Sequence, residues 1–268
     1  MKTRVIAAVV LLPLLLAILL AAPKIVTAIL FGAMAAIAVY ELLGAMGMRR
    51  NPRLIIYSMM MALMIPLWCY YGMPQAWGHG MILLFFTVMF VEMMMSHIKL
   101  RFDKVVACFF AATVIPYLLS SPVRILMMDR AYVMIPFIAA FASDSGAYFV
   151  GLKFGRRKLA PVISPNKTVE GVLGGVGAAV ICMVVYGLIL QLLQYKVNYL
   201  LAVLYGLVGA LGGVFGDLCF SVIKRQTGLK DYGNLIPGHG GILDRFDSMV
   251  VAGSVIELLL MILPLAVK

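Results

Sequence analysis

Ser221-Val-Ile-Lys224-Arg225-Gln-Thr-Gly-Leu-Lys230-Asp231-Tyr-Gly-Asn-Leu-Ile-Pro-Gly-His239-Gly240-Gly241-Ile-Leu-Asp244-Arg245-Phe-Asp247 separates two strongly apolar stretches. It holds four cations, three carboxylates, a histidine and five glycines, and Asp217 precedes it inside apolar sequence. The flanks decide the fold. The 268-residue chain is 64% hydrophobic and only 12% charged, with a mean hydropathy of +1.06. A soluble domain carries about 25% charged residues. Too few charges remain to solvate a surface, so the chain reads as an integral membrane protein. Its length suits one bundle. Acids and bases gathered beside a span point to chemistry on a charged substrate that lives in the membrane.

Apolar runs able to cross a hydrocarbon core of about 30 Å recur along the chain. They predict nine transmembrane helices near 5–22, 25–46, 54–72, 81–98, 105–119, 132–152, 171–193, 198–223 and 248–267. Lipid offers no partners to an open strand, and the alternation of a membrane barrel is missing, so the fold class is an all-α polytopic bundle. With the N-terminus in the cytoplasm, seventeen of the 22 Lys and Arg fall on cytoplasmic segments. This positive-inside asymmetry sets the orientation. It puts the charged loops 153–170 and 224–247 in the cytoplasm, and the protein in the inner (cytoplasmic) membrane as a multi-pass chain. Ala21-Ala22 resembles a signal-peptidase site, but its apolar stretch is long and another span follows at once, so the first helix reads as retained. One membrane domain, 1–268, is expected, with scaffold helices in 1–131 (including a candidate dimer contact) and catalytic helices and loops in 132–268.

The net charge of +11 fits basic loops against anionic headgroups, not nucleic acid, since no separate basic domain exists. Cys69, Cys108, Cys182 and Cys219 lie in apolar runs without a CxxC pair, which excludes a disulfide framework or zinc site. Glycines four apart, as in Gly171/Gly175, Gly209/Gly213 and Gly212/Gly216, suit close helix packing and predict that the seventh and eighth helices form the tight core of the second half.

Glu41, Glu92, Asp144, Asp217 and Glu257 fall within or at the edge of apolar segments. A carboxylate there needs a cavity, a metal or a cation. Glu41 and Glu92 read as structural or interfacial, while Glu257 has no assignment. Asp144 and Asp217 each precede a glycine- and cation-rich cytoplasmic stretch. Asp244 and Asp247 share one face of a first helical turn, where helix capping alone accounts for them. Taken with Asp217 and Asp231, they also form a hard-oxygen donor set, which selects Mg²⁺ or Mn²⁺ over zinc. Lys224, Arg225, Lys230 and Arg245, with Lys153, Arg156, Arg157, Lys158 and Lys167 of the other loop, offer the positive charge a polyphosphate needs, although an ordinary positive-inside loop also explains them. No Walker or dinucleotide fingerprint is present. His239, alone in its loop, reads as solvated or a hydrogen-bond donor before a base.

These residues resemble the phosphatidate cytidylyltransferases, or CDP-diacylglycerol synthases. That family's pattern is S-x-[apolar]-K-R-x4-K-D-x-[small]-x2-[apolar]-[P/G/S]-x-H-G-G-[apolar]-x-D-R-x-D. Ser221, Lys224, Arg225, Lys230, Asp231, Gly233, Pro237, His239, Gly240, Gly241, Asp244, Arg245 and Asp247 all fit it. Asp144-Ser-Gly146-Ala-Tyr148-Phe149, Gly216-Asp217 and Ser164-Pro-Asn-Lys167-Thr168-Val-Glu170-Gly171 are also similar to the family, so the likeness covers roughly 140–250. Phe220 stands where members usually have Glu, and Ser145 where Thr is usual.

The resemblance implies that CTP and phosphatidic acid give CDP-diacylglycerol and pyrophosphate for phospholipid synthesis. It implies Mg²⁺, admits a second, monovalent cation such as K⁺, and implies a homodimer among membrane lipids. By matching position, Asp217 and Asp244 become the metal ligands. With Lys224, Arg225 and Asp247 they form the catalytic set. Ser221, Lys230, Asp231, His239, Gly240, Gly241, Arg245, Lys167 and Asp144 become substrate-binding. Three rivals stand beside this reading: a transporter with Asp144, Asp217 and Glu257 along a pathway, a related CTP-using membrane enzyme such as a polyprenol kinase or an ether-lipid cytidylyltransferase, and an inactive scaffold.

Overall fold

The computed structural model describes residues 2–96, 100–233, 235 and 240–267, the side chains of 2–10 excepted. Among the described residues each of the nine expected spans overlaps a helix: α1 Lys2–Ala21, α2 Lys24–Ala45, α3 Pro52–Tyr71, α4 Gln75–Met95, α5 Phe102–Met128, α6 Met134–Phe154, α7 Val169–Leu192, α8 Tyr199–Gln226 and α9 Leu243–Ile262. Residues 97–98 of the fourth span lie outside the described residues. Among the described residues, α2 to α8 are long and apolar enough to cross a membrane. Leu83, Leu84, Leu173 and Phe215 are each more than 60% exposed. Water would penalise such surface, whereas acyl chains accept it. The protein is thus an all-α polytopic membrane protein.

Proline sets several boundaries. Pro23 and Pro74 stand at the N-caps of α2 and α4, and Pro52 opens α3. A proline there loses no helical hydrogen bond and presets φ. For this reason α4 starts at Gln75, six residues before the expected 81. Helix α5 outruns the expected 105–119. It contains a π-type turn at Phe110–Val114, next to Pro116, which has no N–H to donate back. Pro264 follows α9, which ends at Ile262 and not near 267. Ala266–Val267 (β4) instead pairs antiparallel with Lys196–Val197 (β3). Within the expected loop 153–170, Lys158–Ala160 (β1) and Ser164–Thr168 (β2) form an antiparallel hairpin, with Lys158 opposite Thr168.

Two compact units result. The first joins residues 1–127 to 229–245, the second 128–228 to 246–268. In the first, α2 packs on α3, where a Cβ on Gly32 would lie 3.1 Å from the Leu63 carbonyl, and Ala28, Phe31, Ala35, Ala38 and Leu42 of α2 are buried. In the second, the tightest pairing is α6 on α7, so the expected pairing of the seventh and eighth helices ranks behind it. Gly146 of α6 explains why. A Cβ there would lie 2.5 Å from Ala178 Cβ, and one on Gly175 of α7 would lie 2.6 Å from the Ser143 carbonyl. The backbones touch where side chains are missing, as close packing in lipid requires.

Tyrosines pin the other end of this unit. Tyr205 donates to Leu263 O at 2.9 Å, and Tyr195 donates to Asp129 Oδ2 at 2.8 Å. That hydrogen bond to the carboxylate, with burial, pushes the Tyr195 phenol up to about 12. Tyr186 and Tyr132 donate to the carbonyls of Ala131 and Ala266.

The packing predicts a contrast within α7. Gly175→Ala forces a methyl onto the Ser143 carbonyl and should destabilise by about 1–3 kcal/mol, as overpacking does. Gly177, whose Cβ position is open, should accept alanine with unchanged or raised stability. Thermal unfolding of both purified variants in detergent checks this.

Candidate active site

Helical spacing aligns the first part of the site. Asp217, Ser221 and Lys224 follow one another at intervals of four and three on α8, and so share a face. Ser221 Oγ donates to Asp217 Oδ1 at 3.0 Å. Gly216 lets this stretch close on α9, since a Cβ there would stand 2.6 Å from the Asp247 carbonyl. Lys224 Nζ approaches Asp247 Oδ2 at 3.8 Å, with both side chains nearly buried. Asp247 Oδ1 accepts from the Ser248 amide at 2.8 Å, and Ser248 Oγ donates to Asp144 Oδ2 of α6 at 3.2 Å. The charges of Asp217, Lys224 and Asp144 all act on Asp247.

The hairpin supplies the next cation. Lys167, near the end of β2, puts Nζ 2.6 Å from Asp217 Oδ2. Its place is set by two neighbours. Thr168 caps α7 by accepting from the Gly171 amide at 3.1 Å. Glu170 accepts from the amides of Arg156 and Arg157 at 3.0 and 3.1 Å, tying down the hairpin's approach. Arg225 reaches the hairpin turn, donating from Nε to Ile163 O at 3.0 Å. The second unit thus gathers Asp144, Lys167, Asp217, Ser221, Lys224, Arg225 and Asp247: three carboxylates, three cations and a hydroxyl at one end of helices long enough to span.

The first unit holds the rest. Asp244 is 8% exposed. Its Oδ2 accepts from the amides of Tyr232 at 2.8 Å and Gly241 at 3.0 Å. Gly240 sits at φ +87°, where a Cβ would be 3.0 Å from that same oxygen, so a larger residue is excluded twice over. Asp244 therefore folds its own loop. Lys230, Asp231 and Arg245 are exposed on this segment. His239, expected to touch substrate, lies outside the described residues. Glu92, expected to be structural or interfacial, accepts from Tyr57 Oη at 3.3 Å with Arg53 at 3.9 Å.

Sequence reading quoted Thr168 and Glu170 in the family-like stretch but gave neither a role, and it missed Ser248. Thr168 had a signal, being a hydroxyl residue directly before an apolar helix. Ser248 had none, because its partner Asp144 lies 104 residues away.

The sequence profile of the Cytidylyltransferase family matches residues 2–263. The chain belongs to that family. It is 46% identical over 119 residues to a phosphatidate cytidylyltransferase of Bacillus subtilis (strain 168), covering 44% of this chain and 43% of the relative. Enzymes of the same name from Staphylococcus epidermidis and Staphylococcus aureus (strain COL) are 42% and 40% identical, over 48% of each chain. The aligned stretch thus spans about half the length of these relatives. The resemblance read from residues 140–250 is borne out at the family level.

Lys224→Met strands Asp247 as a nearly buried carboxylate and should cost about 1–3 kcal/mol, the penalty of an unsatisfied buried group. Adding Asp247→Asn should recover part of that loss. Melting temperatures of the single and double variants test the pairing independently of activity.

Proposed function

We propose that this protein transfers the cytidylyl group of CTP to phosphatidic acid, releasing pyrophosphate and CDP-diacylglycerol. The observation that carries the reading is the Lys167–Asp217–Ser221 cluster beside Lys224 and Asp247, built on helices long enough to span. Membership of the Cytidylyltransferase family and the names of the relatives support it.

The chemistry asks for charge control more than for a base. The nucleophile is a phosphomonoester oxygen with a second pKa of about 6, mostly ionised at neutral pH. It attacks the α-phosphorus of CTP, the bond to the β-phosphate oxygen breaks, and pyrophosphate leaves. Two anions must meet, so positioning and offset of negative charge supply most of the rate. Lys167, Lys224 and Arg225 are the cations for the triphosphate, with Ser221 as hydroxyl donor. Lys230, Arg245, Gly240, Gly241 and His239 remain substrate contacts expected from the motif.

The donor set suits Mg²⁺. Asp217, Asp144 and Asp247 offer hard carboxylate oxygens, and an ammonium already rests on Asp217 Oδ2. Among the described residues no three acid, imidazole or thiol side chains are set closely enough to hold a metal by themselves. Mg²⁺ usually takes one or two carboxylates and completes its shell with waters and substrate phosphates. Asp217 would hold it, with Asp144 and Asp247 near, and bound metal would neutralise charge on the phosphates. Asp244, the other ligand expected from the resemblance, is tied to its loop amides. The Lys and Arg asymmetry supports a cytoplasmic N-terminus and a site facing the cytoplasm at the inner membrane. The homodimer and the second, monovalent cation rest on the family resemblance.

Purified protein in detergent with labelled CTP, phosphatidic acid and Mg²⁺ should yield lipid-soluble cytidylate and pyrophosphate in equal amounts. CDP and a phosphorylated lipid alcohol, or no lipid product, would overturn the reading. Chelation should abolish turnover and Mg²⁺ restore it. Asp217→Asn should lower turnover about 10²–10³-fold, the scale of a lost electrostatic contact at a reacting phosphate, with folding retained. Asp244→Asn separates two roles: a ligand leaves loop exchange protection intact, whereas a loop clamp loses it.

A further inference from the structure

Glu41 belongs to α2, in the half of the chain where no motif was legible, and is 5% exposed. Its Oε1 accepts from the Ile242 amide at 3.0 Å and its Oε2 from the Leu243 amide at 2.9 Å. These are leading donors of α9, which no carbonyl of the helix itself can satisfy. A side chain at the N-cap reaches the amides two and three residues further on, so it would not serve these two. Their acceptor comes instead from about 200 residues away. A carboxylate at a helix N-terminus also gains from the dipole.

The surroundings are cut to that carboxylate. A Cβ on Gly233 would lie 2.5 Å from Glu41 Oε1, and a Cβ on Gly241 would fall within 2.5 Å of Glu41 Cδ and both oxygens. Two glycines of the charged segment thus clear the space the carboxyl group fills. Asp244 Oδ2 meanwhile accepts from Tyr232 and Gly241. Four amides of the segment 229–245 are therefore held by two carboxylates, one of them on α2.

We infer that Glu41 is a positioning residue for cytidylyl transfer: seated between Gly233 and Gly241, it holds the backbone from which Asp244 and the motif glycines are presented. The role rests on the reaction proposed above. Shape and reach matter as much as charge, so Gln keeps the fit and one acceptor, while Asp, one methylene shorter, withdraws from the amides.

The test compares wild type, Glu41→Gln, Glu41→Asp and Glu41→Ala as intact purified protein. It reads hydrogen exchange over residues 240–245, melting temperature, and kcat and KM for CTP and phosphatidic acid. Glu41→Ala and Glu41→Asp should speed exchange and lower kcat about 10–100-fold, the scale of a small misplacement of reacting groups. KM for phosphatidic acid should stay within about twofold, since the loss falls on geometry in the transition state. Glu41→Gln should fall between these variants and wild type. Gly233→Ala, which drives a methyl into the carboxyl, should be impaired, and Glu41→Asp in the same chain should restore part of its kcat. Unchanged exchange in Glu41→Ala overturns the cap. Faster exchange with unchanged kcat, or a lower melting temperature with no Gln-over-Asp ordering, overturns the positioning role. Wild-type protein that makes no cytidylyl lipid strikes the reaction and the positioning role together, while the exchange result still reports on the contact by itself.

Discussion

A carboxylate on a membrane-spanning helix is costly, and a donor or a cation brought to it by the chain lowers that cost. Asp217 is that case here. It sits on α8, and the fold delivers Lys167 to 2.6 Å from one oxygen and Ser221 to 3.0 Å from the other. The rest of the second unit is arranged to make that delivery possible. Hairpin β1–β2 exists to hold Lys167, Thr168 and Glu170 anchor it, and Arg225 reaches across to its turn. Gly216 brings α8 within backbone contact of Asp247, so a second acid–cation pair forms beside the first.

The same constraint works differently in the first unit. Glu41 and Asp244 are both nearly buried, and both are met by backbone amides. Amides donate to anions without adding a charge that itself needs solvation, which suits a tight loop. The glycines of the charged segment then have a steric meaning. Gly240 supplies a positive φ, while Gly233 and Gly241 make room for an acid from α2. At Gly233 and Gly241 the glycine-rich motif is a socket for that carboxyl group.

Much of the architecture was legible because lipid simplifies the problem. Backbone groups must be satisfied within each segment, so apolar runs become helices, and among the described residues each of the nine expected runs overlaps one. Boundaries slipped where proline chemistry overrode hydropathy, at Pro74 and Pro264, whereas α5 ran on past Pro116 through a π-type turn. Strands β1 to β4 were unreadable, since two to five residues of mixed polarity carry no usable period. The glycine spacing pointed to close packing, and α7 does close on α8, where a Cβ on Gly206 would lie 2.6 Å from the Val180 Cα. It did not show that α6 packs on α7 more extensively, because spacing describes one surface and packing needs two.

The sequence alone determined the membrane class, the run of helices, the α8 face bearing Asp217, Ser221 and Lys224, and the family. Each follows from a local quantity: hydropathy, helical period or motif spacing. Tertiary structure decided the partners. Lys167 on Asp217, Ser248 on Asp144, and Glu41 on the first amides of α9 join residues 50 to about 200 positions apart. Such pairings depend on which helix faces pack together, and no local property of a chain encodes that.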